Sequence, residues 1–131
     1  MSRPEHNLRE FFRVPYPGIP CTITHKGKRH ELAILDISIA GLAIILPPES
    51  YEMIQEGETY KGCTFSTPAY GEINVTLLVR NIQELNEGSA LHFRRAGCSF
   101  VSIKPQTQAL LMQYIAHLER ENHRRQAHPQ E

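Results

Sequence analysis

The segment from Ile34 to Leu46 restricts the possible folds more than any other stretch, because two apolar runs meet at a small polar corner and the second ends at Pro47-Pro48. Two strands joined by a tight connection satisfy that pattern. Alternation along the first run predicts Leu35, Ile37 and Ile39 on one face and Asp36 and Ser38 on the other. Gly41 serves the corner either through positive φ or by admitting a close approach to its backbone, since it has no Cβ to block one.

The flanking sequence repeats strand-forming composition at short spacing. Cys21-Thr22-Ile23-Thr24, the run from His30 into Asp36, the run out to Leu46, Thr59 to Phe65, Gly71 to Glu84 and Ala90 to Ile103 are rich in β-branched and aromatic residues. Lys26-Gly27-Lys28 suits a hairpin loop, and Pro15, Pro17, Gly18 and Pro20 suit an irregular edge. Glu49 to Gln55 is predicted as a short helix after the two prolines. About six strands at this spacing predict an antiparallel barrel or sandwich. Beyond Pro105 the period changes: Leu110, Leu111, Tyr114, Ile115 and Leu118 fall on one stripe of a helix. That stripe suits packing on the barrel, a partner-facing or dimer-forming role, or both at once. The expected organisation is mainly β, with an N-terminal arm over 1–14, a β-domain over 15–104, a C-terminal α-helix over 105–125 and a disordered tail over 126–131.

Composition narrows the function classes. The 131 residues suit one domain, and 14 basic side chains against 14 acidic ones leave no general excess for binding nucleic acid. No apolar run is long enough to span a bilayer, and the N-terminus lacks the apolar centre of a signal peptide, so a cytoplasmic protein without membrane contact is expected. Cys21, Cys63 and Cys98 are odd in number and far apart, which predicts free buried thiols. Neither they nor the scattered histidines show the spacing of a metal site. Ser38 and Asp36 have no histidine placed for nucleophilic catalysis, so binding is expected and no enzyme activity.

The candidate site combines two separated pieces. Arg9 and Arg13, four residues apart, are planar, permanently charged forks that suit phosphate oxygens and the O6 and N7 edge of guanine. Asp36 and Ser38 add acceptors for guanine donors, so the set suits a ligand that is both a guanine and a phosphate diester. An ordinary structural role is equally open from the residues alone: a salt bridge between Asp36 and an arginine, and a turn capped by Ser38. Arg80 is a weaker candidate, since a lone arginine on a long strand is commonly solvated or salt-bridged.

Arg9-Glu10-Phe11-Phe12-Arg13 followed by Asp36-Ile37-Ser38-Ile39-Ala40-Gly41 resembles the paired signature of PilZ domains: an arginine, three residues and an arginine, then Asp/Asn-x-Ser-x-x-Gly. Phe12-Arg13-Val14-Pro15, Val79-Arg80, Gly97-Cys98-Ser99-Phe100 and Gln113 to Glu121 look most like the C-terminal half of flagellar-brake proteins of the YcgR type. The resemblance implies a six-stranded antiparallel β-barrel that binds cyclic di-GMP, with no other cofactor. It implies that Arg9 and Arg13 grip guanine and phosphate while Asp36, Ser38 and Gly41 line the barrel-side wall. Leu8 stands where many relatives carry a basic residue that helps hold a second ligand molecule, which implies one cyclic di-GMP per domain. The implied mechanism is an arm that closes over the ligand and switches a surface for a protein output partner, flagellar motor components among the candidates, in motility or biofilm control. The chain is expected as a monomer or weak dimer. A PilZ-fold interaction module that does not bind the nucleotide is the alternative.

Overall fold

The computed structural model describes residues 14–15, 19–85 and 92–127. Seven strands and one helix follow one another: β1 (Val14–Pro15), β2 (Pro20–His25), β3 (Lys28–Ile37), β4 (Gly41–Leu46), β5 (Thr59–Thr67), β6 (Gly71–Glu84), β7 (Arg94–Val101) and α1 (Pro105–Ala127). Apart from the two-residue β1, the strands run in the order β3-β2-β5-β6-β7-β4, and β4 pairs again with β3. All of these pairings are antiparallel, so six strands close into a barrel and the choice between barrel and sandwich is settled. Closure removes the free sheet edges that a sandwich of this size would have to protect.

Alternation fills the barrel. Ile23, Ile34, Ile37, Ile44, Leu46, Phe65, Ile73, Leu77 and Val79 are all buried at 2% exposure or less, and each removes a side chain from water at a gain of about 1.5–3 kcal/mol. Cys21, Cys63 and Cys98 are free thiols within this interior, as their composition predicts. The Cys21 thiol hydrogen-bonds that of Cys63, which together with burial pushes the Cys21 pKa far up.

Two expectations about local structure change. The span Glu49 to Gln55 forms only a 3-10 turn, Pro48–Ser50, followed by turns. The Tyr60 hydroxyl intervenes: it accepts from the Gln55 N–H at 3.1 Å and donates to the Met53 carbonyl at 2.7 Å, using groups that a longer helix would need. The predicted alternation through Leu35, Ile37 and Ile39 also fails. Ile37 is buried, Leu35 is half-buried, Ile39 is 39% exposed and Ser38, predicted to share the Asp36 face, is buried. Leu35 is an extra residue in β3, between the pairs Ile34↔Ile44 and Asp36↔Ala43, and such a bulge reverses the phase of the strand.

The helical stripe packs on the barrel. Leu111, Tyr114 and Ile115 are buried, and α1 lies against β6 and β1, with the Tyr70 ring 5.8 Å from that of Tyr114. No helix among the described residues is long and apolar enough to cross a membrane.

Candidate functional site

The pair β4–β7 keeps an unbroken register from Gly41↔Ser99 to Leu46↔Arg94. Leu42, Ile44, Leu46, Ala96 and Cys98 belong to the core, so the intervening positions Gly41, Ala43, Gly97 and Ser99 lie on the opposite face, where Gly41 and Ala43 are themselves covered. The outer surface of these two strands is therefore a floor of small residues. Gly41 is required by the fold itself. A Cβ there would stand 1.9 Å from the Cys98 carbonyl oxygen, and Gly41 is absent from the described residues with positive φ, so the close approach of β7 is what demands glycine.

Two bulges raise walls beside this floor. Strict alternation from the buried Ile34 would point Asp36 into the core. The extra Leu35 turns Asp36 outward and returns Ile37 to the interior. On the other side, Val79↔Cys98 is followed directly by Asn81↔Gly97, which leaves Arg80 as the extra residue of β6. Without it Asn81 would follow Val79 into the core. With it Asn81 is outward and Ile82 packs against the core. One row of paired residues thus runs Asp36, Ala43, Gly97, Asn81 across β3, β4, β7 and β6, three inter-strand spacings or roughly 14 Å. The cleft above it measures about 440 Å³ out to open solvent and includes Asp36, Ser38, Gly41, Arg80, Asn81 and Arg95 in its lining.

Each side chain has a distinct situation. Arg95 Nη2 reaches across β4 to Asp36 Oδ2 at 3.4 Å, and the two side chains are only 17% and 15% exposed. The cation predicted for Asp36 as an ordinary salt bridge is therefore present, though in a half-dry setting that strengthens it beyond a surface pair. Ser38 shapes the corner: its N–H donates to the Gly41 carbonyl at 2.8 Å, and its Oγ accepts from the Ala40 N–H at 3.1 Å. The corner is then tied to β7 by the Phe100 N–H, which donates to the Ala40 carbonyl at 2.9 Å. Arg80 is exposed, and among the described residues no hydrogen bond or ion pair holds it. Asn81 Oδ1 is buried and has no hydrogen-bond partner among the described residues. Burial pushes the Cys98 thiol, beneath the floor, up to about 12.

Of the predicted site residues, Asp36, Ser38, Gly41 and Arg80 come together in this cleft. Leu8, Arg9 and Arg13 lie outside the described residues. The backbone that follows them is placed: β1 pairs Val14 with Ile37 and Pro15 with Asp36. Arg95, Asn81 and Gly97 escaped the sequence reading. Arg95 was accessible to it, since alternation outward from Ala96 and Cys98 exposes Arg95, Gly97 and Ser99 together. Asn81 was not, because a regular strand would bury it.

Comparison with known proteins gives a consistent picture. The family model described as PilZ domain matches residues 7–117. The flagellar brake protein YcgR of Janthinobacterium sp. (strain Marseille) is 35% identical over 119 residues, which cover 86% of this chain and 47% of that protein. The YcgR of Azoarcus sp. (strain BH72) is 31% identical over 127 residues, covering 90% of this chain and 48% of that protein. The chain spans about half the length of the curated relatives it matches. Among solved structures, the PilZ domain of Escherichia coli YcgR with c-di-GMP superposes with a TM-score of 0.76 at 18% identity, covering 88% of this chain and 95% of that one. The K. pneumonia MrkH–c-di-GMP complex reaches the same TM-score of 0.76 at 22% identity, over 86% of this chain and 53% of MrkH.

Proposed function

The chain belongs to the PilZ family, and from that premise we propose that it is a non-catalytic receptor for cyclic di-GMP. In this reading Arg9 and Arg13 grip guanine and phosphate, and Asp36, Ser38 and Gly41 form the barrel-side wall, with Arg80 at the rim. One observation carries the proposal. Val14, the residue directly after Arg13, is paired with Ile37, between Asp36 and Ser38. Arg13 is bonded to Val14, so the chain leaves the arginine segment next to the Asp36 corner of the cleft, which supports this reading. Support also comes from relatives named flagellar brake proteins and from the c-di-GMP complexes of E. coli YcgR and K. pneumonia MrkH, whose fold this chain shares.

The ligand carries two negative charges, and two arginines neutralise them at close range, so affinity falls as salt rises. Closing the arm over the ligand against Asp36 creates a new surface, made of the arm and the ligand's outer edge, that a protein partner reads. The flagellar brake relatives make motility control the output of choice, exerted from the cytoplasm by a monomer or weak dimer that takes one ligand per domain because Leu8 offers no charge for a second.

A ligand-free interaction module is the second reading, and one observation favours it: the Asp36–Arg95 pair and the Ser38 turn already account for both motif side chains structurally. Titration separates the two. Isothermal titration with cyclic di-GMP at moderate salt, with GTP and cyclic di-AMP as controls, should give micromolar or tighter binding of cyclic di-GMP alone. Arg9→Ala and Arg13→Ala should abolish it while the circular dichroism spectrum stays native. A folded protein that binds no nucleotide supports the interaction module.

A further inference from the structure

The far wall of the cleft carries chemistry that the arginine pair and the Asp36 corner leave unused. Gly97 stands at its base. A Cβ on Gly97 would lie 3.1 Å from Asn81 Oδ1 and 3.2 Å from Arg95 Nη1, so both groups crowd over a floor position that has no side chain. Arg95 has five N–H donors and spends Nη2 on Asp36, which leaves Nη1 over the same Gly97 position as Asn81 Oδ1. Asn81 Oδ1 is a buried acceptor that no donor among the described residues satisfies, an arrangement folded proteins rarely keep without a reason. The two bulges thus bring a donor and a covered acceptor to the same floor position, Gly97.

We infer that Arg95 Nη1 and Asn81 Oδ1 form a guanine-reading pair, Arg95 donating to the base O6 and Asn81 accepting from N1–H. The inference rests on the cyclic di-GMP reading and deepens it. Guanine carries an acceptor and a donor side by side at O6 and N1, and the cleft presents the complementary order. Adenine carries the reverse, an amino donor beside an N1 acceptor, and would set donor against donor and lone pair against lone pair. Asp36 holds Arg95 in place, so the carboxylate acts partly through its neighbour. Buried polar groups discriminate strongly in such a setting, because the wrong base leaves them unsatisfied.

The test compares the full chain with Asn81→Leu, and with Asn81→Ala as a second variant, by isothermal titration against cyclic di-GMP, cyclic di-IMP and cyclic di-AMP, alongside thermal melts without ligand. Cyclic di-IMP keeps O6 and N1–H and lacks only the 2-amino group. The expected result is about a tenfold loss of affinity for cyclic di-GMP and for cyclic di-IMP alike, with cyclic di-AMP binding no weaker. The ligand-free melting temperature should hold or rise, since an unsatisfied buried oxygen is removed. Unchanged cyclic di-GMP affinity overturns the inference. A loss confined to cyclic di-GMP overturns it too, by moving the contact to the 2-amino group. Failure of the unaltered chain to bind cyclic di-GMP defeats the receptor reading itself, an outcome distinct from a binding protein whose Asn81 variants behave normally.

Discussion

The bulges of β3 and β6 and the bulge of β5 are one backbone device with two outcomes. In β5 the shift lies between the pairs Tyr60↔Leu77 and Cys63↔Val75, where Lys61 and Gly62 oppose one residue of β6. Gly62 takes φ +70, nothing lies within 4 Å of where its Cβ would stand, and Lys61 is exposed. The strand bends and a charge points to solvent. In β3 and β6 the extra residues are Leu35 and Arg80, and what matters is the next residue along: Asp36 and Asn81 are turned out of the core onto opposite sides of the regular β4–β7 floor. A bulge alone makes no site. Two bulges that face each other across small residues make a cleft with a polar group at each end.

The sharpest way to break that contrast is at the floor. Gly41→Val places a side chain into the Cys98 carbonyl and should destabilise the barrel by about 3 kcal/mol or more in denaturant melts, since neither backbone can yield without losing its pairing. Next comes the wall: Arg95→Met removes one partner of a carboxylate that is 15% exposed. A loss of about 1–2 kcal/mol is expected, between the surface and buried limits for ion pairs, together with weaker cyclic di-GMP binding. The far bulge should respond differently. Gly62→Ala strains a left-handed residue in open space, costing about 1 kcal/mol while nucleotide affinity stays unchanged. If Gly62→Ala weakened binding as much as Arg95→Met, the separation of the two regions would collapse.

The smallest effect, absent at neutral pH, concerns the thiol under the floor. Cys98 is protonated in both folded and unfolded chains below its ordinary pKa of 9.0. Above that pH the unfolded chain ionises first, because burial holds the folded thiol up to about 12. Stability should therefore fall as pH climbs from 9 toward 12, and Cys98→Ala should flatten that part of the pH profile. An unchanged slope in the variant would show that Cys98 is not the group responsible.

How much of this was written in the chain differs between fold and site. Strand-forming runs broken by Pro and Gly are local properties, and they identify the barrel strands. The switch to helical spacing after Pro105 identifies α1, and its stripe packs through Leu111, Tyr114 and Ile115 as its pattern implies. The motif residues Asp36, Ser38 and Gly41 were also readable, because each is defined by neighbours a few positions away. Period-two alternation carries no record of a register slip, however. Leu35 and Arg80 look like ordinary strand residues until β4 and β7 pair beside them, and their bulges decide that Asp36 and Asn81 face outward and not the core.

The chain by itself therefore determined the barrel strands and α1, the family resemblance and the small polar corner, all of which depend on short-range composition and spacing. Tertiary structure decided the rest. It set the reason for Gly41, which is the approach of the Cys98 carbonyl and not a left-handed turn. It set the pairing of Asp36 with Arg95 across β4, and the placement of Asn81 Oδ1 over Gly97. Those are contacts between residues far apart in sequence, which meet only when the barrel strands pair.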